Sequence, residues 1–243
     1  MDYSRLLQGK RVFVTTAGQG IGLGIALLFA QHGAILALGA RNPAKLDHAL
    51  KKITSLSPNS RGYLCDLGVK EHVERTCDDI LKDMGGIDIL VSTVGINENK
   101  GPIHTYNEND LENIIETNYK SSLRCMKKFI PGMLERGYGN IIFISSIHSI
   151  QTMPGFGLYA GTKGALNAVA RAAALDYARK GIRVNVICPG LIMSDKIIEE
   201  INAYPEGPER DGFLKLLDGM QPLPPGSVED VANAALFLAS DMS

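Results

Sequence analysis

Thr15-Thr16-Ala17-Gly18-Gln19-Gly20-Ile21-Gly22 follows a short apolar run, Arg11 to Thr15, and opens a segment of helical period that starts near Gly20. A glycine-rich turn between a buried strand and a helix is built for phosphate. Glycines let the backbone approach a pyrophosphate, and the free N–H groups and positive dipole end of the helix attract its charge. Outward from this loop, further short apolar runs read as buried strands at Ile35 to Gly39, Ile89 to Ser92, Ile141 to Ser145 and Val184 to Cys188. Helical segments begin near Pro43, Lys70, Asn109, Tyr159 and Ser227, the last with a Ser227-x-x-Asp230 capping pattern.

Strand and helix in alternation predict an α/β fold: one Rossmann-type, doubly wound parallel sheet with helices on both faces. No linker or internal repeat divides the chain, so residues 1–243 read as a single domain. One stretch breaks the alternation. Ser194 to Gly226 carries Pro205, Pro208, Pro222, Pro224 and Pro225 among short apolar segments and reads as a mobile insert following a strand's carboxyl end, either a surface loop or a substrate lid.

The composition, 45% hydrophobic and 21% charged with net charge −1, is that of a compact protein with no basic stripe for nucleic acid or an anionic membrane. No apolar run approaches the roughly 18 residues of a membrane span. The opening Met1-Asp2-Tyr3-Ser4-Arg5 lacks the layout of a signal peptide, so a cytoplasmic location is expected. Cys65, Cys77, Cys125 and Cys188 are scattered, show no metal-ligand spacing and read as reduced thiols; no metal site is expected.

The glycine loop misses G-x-G-x-x-G but fits T-G-x-x-x-G-I-G, with Thr16 in place of the first glycine. With Asp88-Ile89-Leu90-Val91, Asn118, Ile144-Ser145-Ser146, Tyr159-x-x-x-Lys163 and Asn185-x-x-x-Pro189-Gly190, the chain resembles the short-chain dehydrogenase/reductase family from about Lys10 to Ser243. It departs from the family at Thr16, which must take a turn where glycine is usual, and at Ser92-Thr93-Val94-Gly95, where Asn-Asn-Ala-Gly is expected. The family's last strand after the final helix is also missing. Either the natural chain is longer or the sheet has six strands and an exposed edge.

Of the eight tyrosines, only Tyr159 has a lysine four residues on, which places Lys163 on the same helix face. A neighbouring ammonium is expected to lower the phenol's pKa from about 10 and make a tuned proton donor. The resemblance implies that Ser146 is the catalytic serine, with Ser145 and then Ser149 as alternatives, and that Asn118 holds a water linking Lys163 to solvent. It implies cofactor contacts at Thr16, Gly18, Gln19, Gly20, Ile21 and Gly95, with Asp66 and Leu67, ending a short strand, flanking the adenine. By the same resemblance Tyr159 and Lys163 also meet the nicotinamide ribose, and Ile192 and Ser194 the carboxamide. His148 and Gln151 fall where substrate-facing residues lie in relatives, although a lone histidine serves structure as readily.

Cofactor choice is read at the end of the second strand, where an NAD-selective site places an acid. Here that position is Ala40, and Arg41 follows with a guanidinium able to hold a 2′-phosphate. Gln19 tempers the reading, since many NADPH-specific relatives carry a base there. The expected function is therefore hydride transfer between NADP(H) and a ketone or aldehyde, acting on a small molecule in a homo-oligomer, dimer or tetramer. An alcohol-oxidising dehydrogenase and a non-catalytic nucleotide-binding scaffold are the alternatives.

Overall fold

The computed structural model describes residues 4–97 and 101–243; Met1, Asp2 and Tyr3 of the opening segment lie outside the described residues. Six strands, β1 (Arg11–Val14), β2 (Ile35–Ala40), β3 (Arg61–Leu64), β4 (Ile89–Ser92), β5 (Gly139–Ile144) and β6 (Ile182–Ile187), form one sheet in the order β3-β2-β1-β4-β5-β6. Every pairing in it is parallel. Nine helices accompany them among the described residues: α1 (Gly20–Gln31), α2 (Pro43–Thr54), α3 (Lys70–Met84), α4 (Glu108–Ile115), α5 (Ser121–Arg136), α6 (Gly157–Tyr177), α7 (Asp195–Ala203), α8 (Pro208–Asp218) and α9 (Val228–Ala239).

Side-chain alternation along the strands sorts the interior into two cores. Val12, Val14, Leu36, Leu38, Ile89, Val91, Ile142 and Ile144 face α1, α2 and α9. Phe13, Ala37, Leu90, Ile141, Phe143 and Val184 face α3, α5 and α6. Because successive residues of a strand point to opposite faces, strands covered on both sides read as continuous apolar runs. The sheet order reverses between β1 and β4, which opens a crevice at their carboxyl ends. The glycine loop leaves β1 there.

Two elements differ from the sequence-based expectation. Ser194 to Gly226 folds as α7 and α8, and Gly226–Ser227 (β8) pairs in parallel with Ile192–Met193 (β7). Pro208 stands in the first turn of α8, where its missing N–H costs nothing. The short strand expected to end at Asp66-Leu67 ends at Leu64, and Asp66 instead turns the chain, its Oδ1 accepting the Gly68 N–H at 3.0 Å.

Candidate active site

The carboxyl ends of β1, β4 and β5, the start of α6 and the turn before α7 meet at one rim. Gly22 packs so tightly that a Cβ there would lie 1.8 Å from the Thr16 carbonyl oxygen. The turn expected to burden Thr16 carries no such strain, since no residue other than glycine takes a positive φ among the described residues. The Thr16 N–H instead donates to Thr93 Oγ1 at 3.0 Å, and the two hydroxyls lie 2.7 Å apart. Thr93 N–H donates in turn to Thr15 Oγ1. The two departures from the family pattern thus answer each other across the β1–β4 crevice.

Gln19, the N-cap of α1, makes no side-chain cap, so the helix keeps its N-terminal donors. Gly20 N–H donates to the Asp195 carboxylate at 2.8 Å, and a Cβ on Gly20 would stand 3.8 Å from Ser194 Cβ. An anionic oxygen therefore already lies where a helix N-terminus favours one. Ser194, just after β7, comes back to this loop, while Ile192 in β7 packs against the core; Leu67 is buried beside the end of β3. Arg41 follows β2, exposed, and enters none of the ion pairs among the described residues.

Lys163 lies fully buried in α6 with its ammonium on two backbone carbonyls, Val94 and Ile144, each at 2.8 Å. Gly95 makes room for it: a Cβ there would stand 3.0 Å from Nζ. Burial pulls the Lys163 pKa down to about 7. Tyr159, one turn earlier, has Lys163 Nζ 5.8 Å from its ring centroid. Its pKa is not lowered as the spacing suggested. Burial raises it, and a hydrogen bond with Ser146 offsets only part of the rise. The Lys163 charge is turned to Val94 and Ile144, so desolvation decides the phenol's state.

The three serines near β5 separate by their partners. Ser145 Oγ donates to the Lys163 carbonyl at 3.1 Å, and Ser149 Oγ to the Ser146 carbonyl at 2.5 Å. Ser146 Oγ accepts the His148 N–H at 3.2 Å and meets Tyr159. Asn118 is fully buried in a π-helical turn, Glu116–Lys120, between α4 and α5. Its Oδ1 accepts the Ile96 N–H at 2.8 Å, and its Nδ2 donates to the Ile96 carbonyl at 2.9 Å and to Thr162 Oγ1 at 3.2 Å. Turns of this kind recur at functional sites because the inserted residue redirects a side chain. His148 stacks on Phe156 with ring centroids 4.3 Å apart and stands edge-on to Tyr159 at 5.8 Å. Gln151 is exposed, and only its backbone is tied down, through Ile147.

Ser146, Tyr159, Lys163, Asn118 and His148 thus gather around one rim, while Gln151 is exposed in the turn that follows Ile147. Sequence reasoning missed Thr93, Phe156 and Asp195. Phe156 had a signal, its place three residues before Tyr159, but no pattern pairs Thr93 with a loop 77 positions away.

Comparison with known proteins bears on the whole chain. A family model described as enoyl-(acyl carrier protein) reductase matches residues 16–243. The chain is 32% identical to the short-chain dehydrogenase/reductase SDRA of Arabidopsis thaliana, over 98% of its own length and 91% of that protein's. It superposes with a TM-score of 0.91 on L-sorbose reductase from Gluconobacter frateurii complexed with NADPH and L-sorbose, at 29% identity over 98% of this chain and 92% of that one. A 7α-hydroxysteroid dehydrogenase complexed with NADH and 7-oxo glycochenodeoxycholic acid superposes with a TM-score of 0.86, at 29% identity over 99% of this chain and 91% of that one. No helix of the described residues is long and apolar enough to cross a membrane.

Proposed function

The chain belongs to the short-chain dehydrogenase/reductase family and is an oxidoreductase of that family, and from that premise we propose that it reduces a ketone or aldehyde with NADPH. The observation that carries the reading is the meeting of Ser146 with Tyr159, whose phenol burial pushes up from its ordinary value, further from the phenolate. Alcohol oxidation asks the same group to act as a phenolate, which an upward shift opposes, and this supports reduction.

NADPH, when bound, supplies the hydride. The chain's own residues do the rest. Tyr159 gives its proton to the carbonyl oxygen as the carbon is reduced. Ser146 donates a hydrogen bond to that oxygen while negative charge develops on it, from a hydroxyl already held in place. Lys163 orients the nicotinamide ribose from its anchorage on Val94 and Ile144. Asn118 clamps the backbone at Ile96 against Thr162, one residue before Lys163. His148 and Phe156 form an aromatic wall beside Tyr159 for the substrate, with Gln151 at its outer edge.

The cofactor residues fit a dinucleotide: Thr16, Gly18, Gln19, Gly20 and Ile21 line the start of α1, where Gln19 makes no side-chain cap and Gly20 N–H binds the anionic oxygen of Asp195. Asp66 and Leu67 flank the adenine, Gly95 lies beside Lys163, and Ile192 and Ser194 meet the carboxamide. Ala40 offers no carboxylate against a 2′-phosphate, and the free guanidinium of Arg41 supports NADPH over NADH. Helices α7 and α8 form the substrate lid.

The test is a panel of ketones and aldehydes assayed by loss of NADPH absorbance, with NADH in parallel. Turnover is expected with NADPH, and Tyr159→Phe should retain NADPH binding while losing turnover. If that variant keeps more than a few per cent of the wild-type rate, Tyr159 is not the donor. Arg41→Ala should lose about 1.5 to 3 kcal/mol of NADPH binding, the range for a hydrogen bond to a charged group. An NADH dissociation constant equal to or below that of NADPH in the wild type overturns the Arg41 argument.

A further inference from the structure

We infer that Lys45 is a second cation of the 2′-phosphate site, acting with Arg41, and that Glu199 of α7 holds its charge until cofactor takes the place. The inference rests on the NADPH reading above. Lys45 is fixed in the first turn of α2, where its N–H donates to the Asn42 side chain at 3.0 Å. A Cβ built on Gly18 would stand 3.3 Å from both Ala40 Cβ and Lys45 Cβ. The lysine stem therefore rises where the glycine loop meets the ribose-reading end of β2. Its ammonium donates to Gln19 Oε1.

That contact changes the meaning of Gln19. The loop carries an uncharged side chain where a base would bring positive potential toward the 2′-phosphate, and Lys45 brings that charge to the same point from the neighbouring helix. The other partner of the ammonium is Glu199, at 3.6 Å. The two side chains are 43% and 64% exposed, so water and salt weaken their attraction. A phosphate with nearly two negative charges and three acceptor oxygens competes well against such a pair. One turn earlier in α7, Asp195 holds Gly20 N–H in the same manner. Residues i and i+4 share a helix face, so α7 presents two carboxylates to two groups suited to phosphate.

The experiment titrates ligand-free protein with NADPH, NADH, 2′,5′-ADP and 5′-ADP by calorimetry, for wild type, Arg41→Ala, Lys45→Met, Glu199→Gln and the Lys45→Met/Glu199→Gln double variant. Lys45→Met should weaken NADPH and 2′,5′-ADP about tenfold, the low end for a charge-assisted hydrogen bond, and leave NADH and 5′-ADP unchanged. Glu199→Gln should tighten the two 2′-phosphorylated ligands roughly two- to fivefold, the worth of an exposed ion pair. That gain should vanish in the double variant. If Lys45→Met leaves all four ligands alone, or weakens NADPH and NADH equally, Lys45 serves only to tie α2 to α7 and the inference is overturned. Where the wild type prefers 2′-phosphorylated ligands and Arg41→Ala removes that preference, such a result leaves the cofactor reading standing. A wild type without the preference overturns both.

Discussion

Ser145, Ser146 and Ser149 are chemically alike, and what separates them is where each hydroxyl hydrogen goes. Ser145 and Ser149 give theirs to the carbonyls of Lys163 and Ser146, whereas Ser146 accepts from His148 N–H and keeps its hydrogen for the Tyr159 side of the rim. Steady-state kinetics should show Ser146→Ala losing about 10² to 10³ in kcat, as for removal of one oxyanion donor. Ser145→Ala should keep most of its rate and lose about 1 kcal/mol of stability with the lost hydrogen bond. An unchanged rate in Ser146→Ala would shift the role to Ser145. At this scale the spacing of the sequence brought the proposed residues together but did not give their electrostatic settings. Spacing put Lys163 beside Tyr159, but the direction of the phenol's shift depends on burial and on the carbonyls that take up the ammonium, which lie in other elements. Thr16 read as a misplaced residue because its partner, Thr93, is distant in the chain.

The central strands β1, β2, β4 and β5 were legible because they are buried on both faces and so print as apolar runs, whereas β3, an exposed edge strand reading Arg61-Gly62-Tyr63-Leu64, does not. The region from Ser194 onward was not. Its helices bury little, Ile201 in α7 and Leu217 in α8, so the apolar stripes are too thin to set a period against so many prolines. What ties α7 to the rest of the rim is polar and exposed: Asp195 on Gly20 and Glu199 near Lys45. Such contacts open at low cost, which is what a lid needs. Amide exchange should therefore be faster in α7 and α8 than in α1 or α6 when no ligand is present, and should slow on addition of NADPH with a reducible carbonyl substrate. Equal protection with and without ligands would count against the lid.

Taken as one body, the molecule stores a cost at its candidate active site. Lys163 is fully buried between the sheet rim and α6, and folding pulls its pKa from the usual 10.5 down to about 7. Between those values the unfolded chain binds a proton there that the folded chain does not, so stability must rise with pH across the interval. Below about pH 7 both forms carry the proton and the dependence levels off. Other buried groups act in the opposite direction, since burial raises the thiol of Cys65 and the phenol of Tyr159; the measurement has to be a difference between variants. Urea unfolding of wild type and Lys163→Met at pH 7 and pH 9 isolates the lysine. Methionine loses the hydrogen bonds to Val94 and Ile144, which lowers the baseline at both pH values equally and leaves the change with pH as the readout. The wild type should gain on the order of 2 kcal/mol relative to the variant on going from pH 7 to pH 9. Parallel changes in the two proteins would mean that Lys163 folds with an ordinary pKa, and that its ammonium rests on Val94 and Ile144 without electrostatic cost.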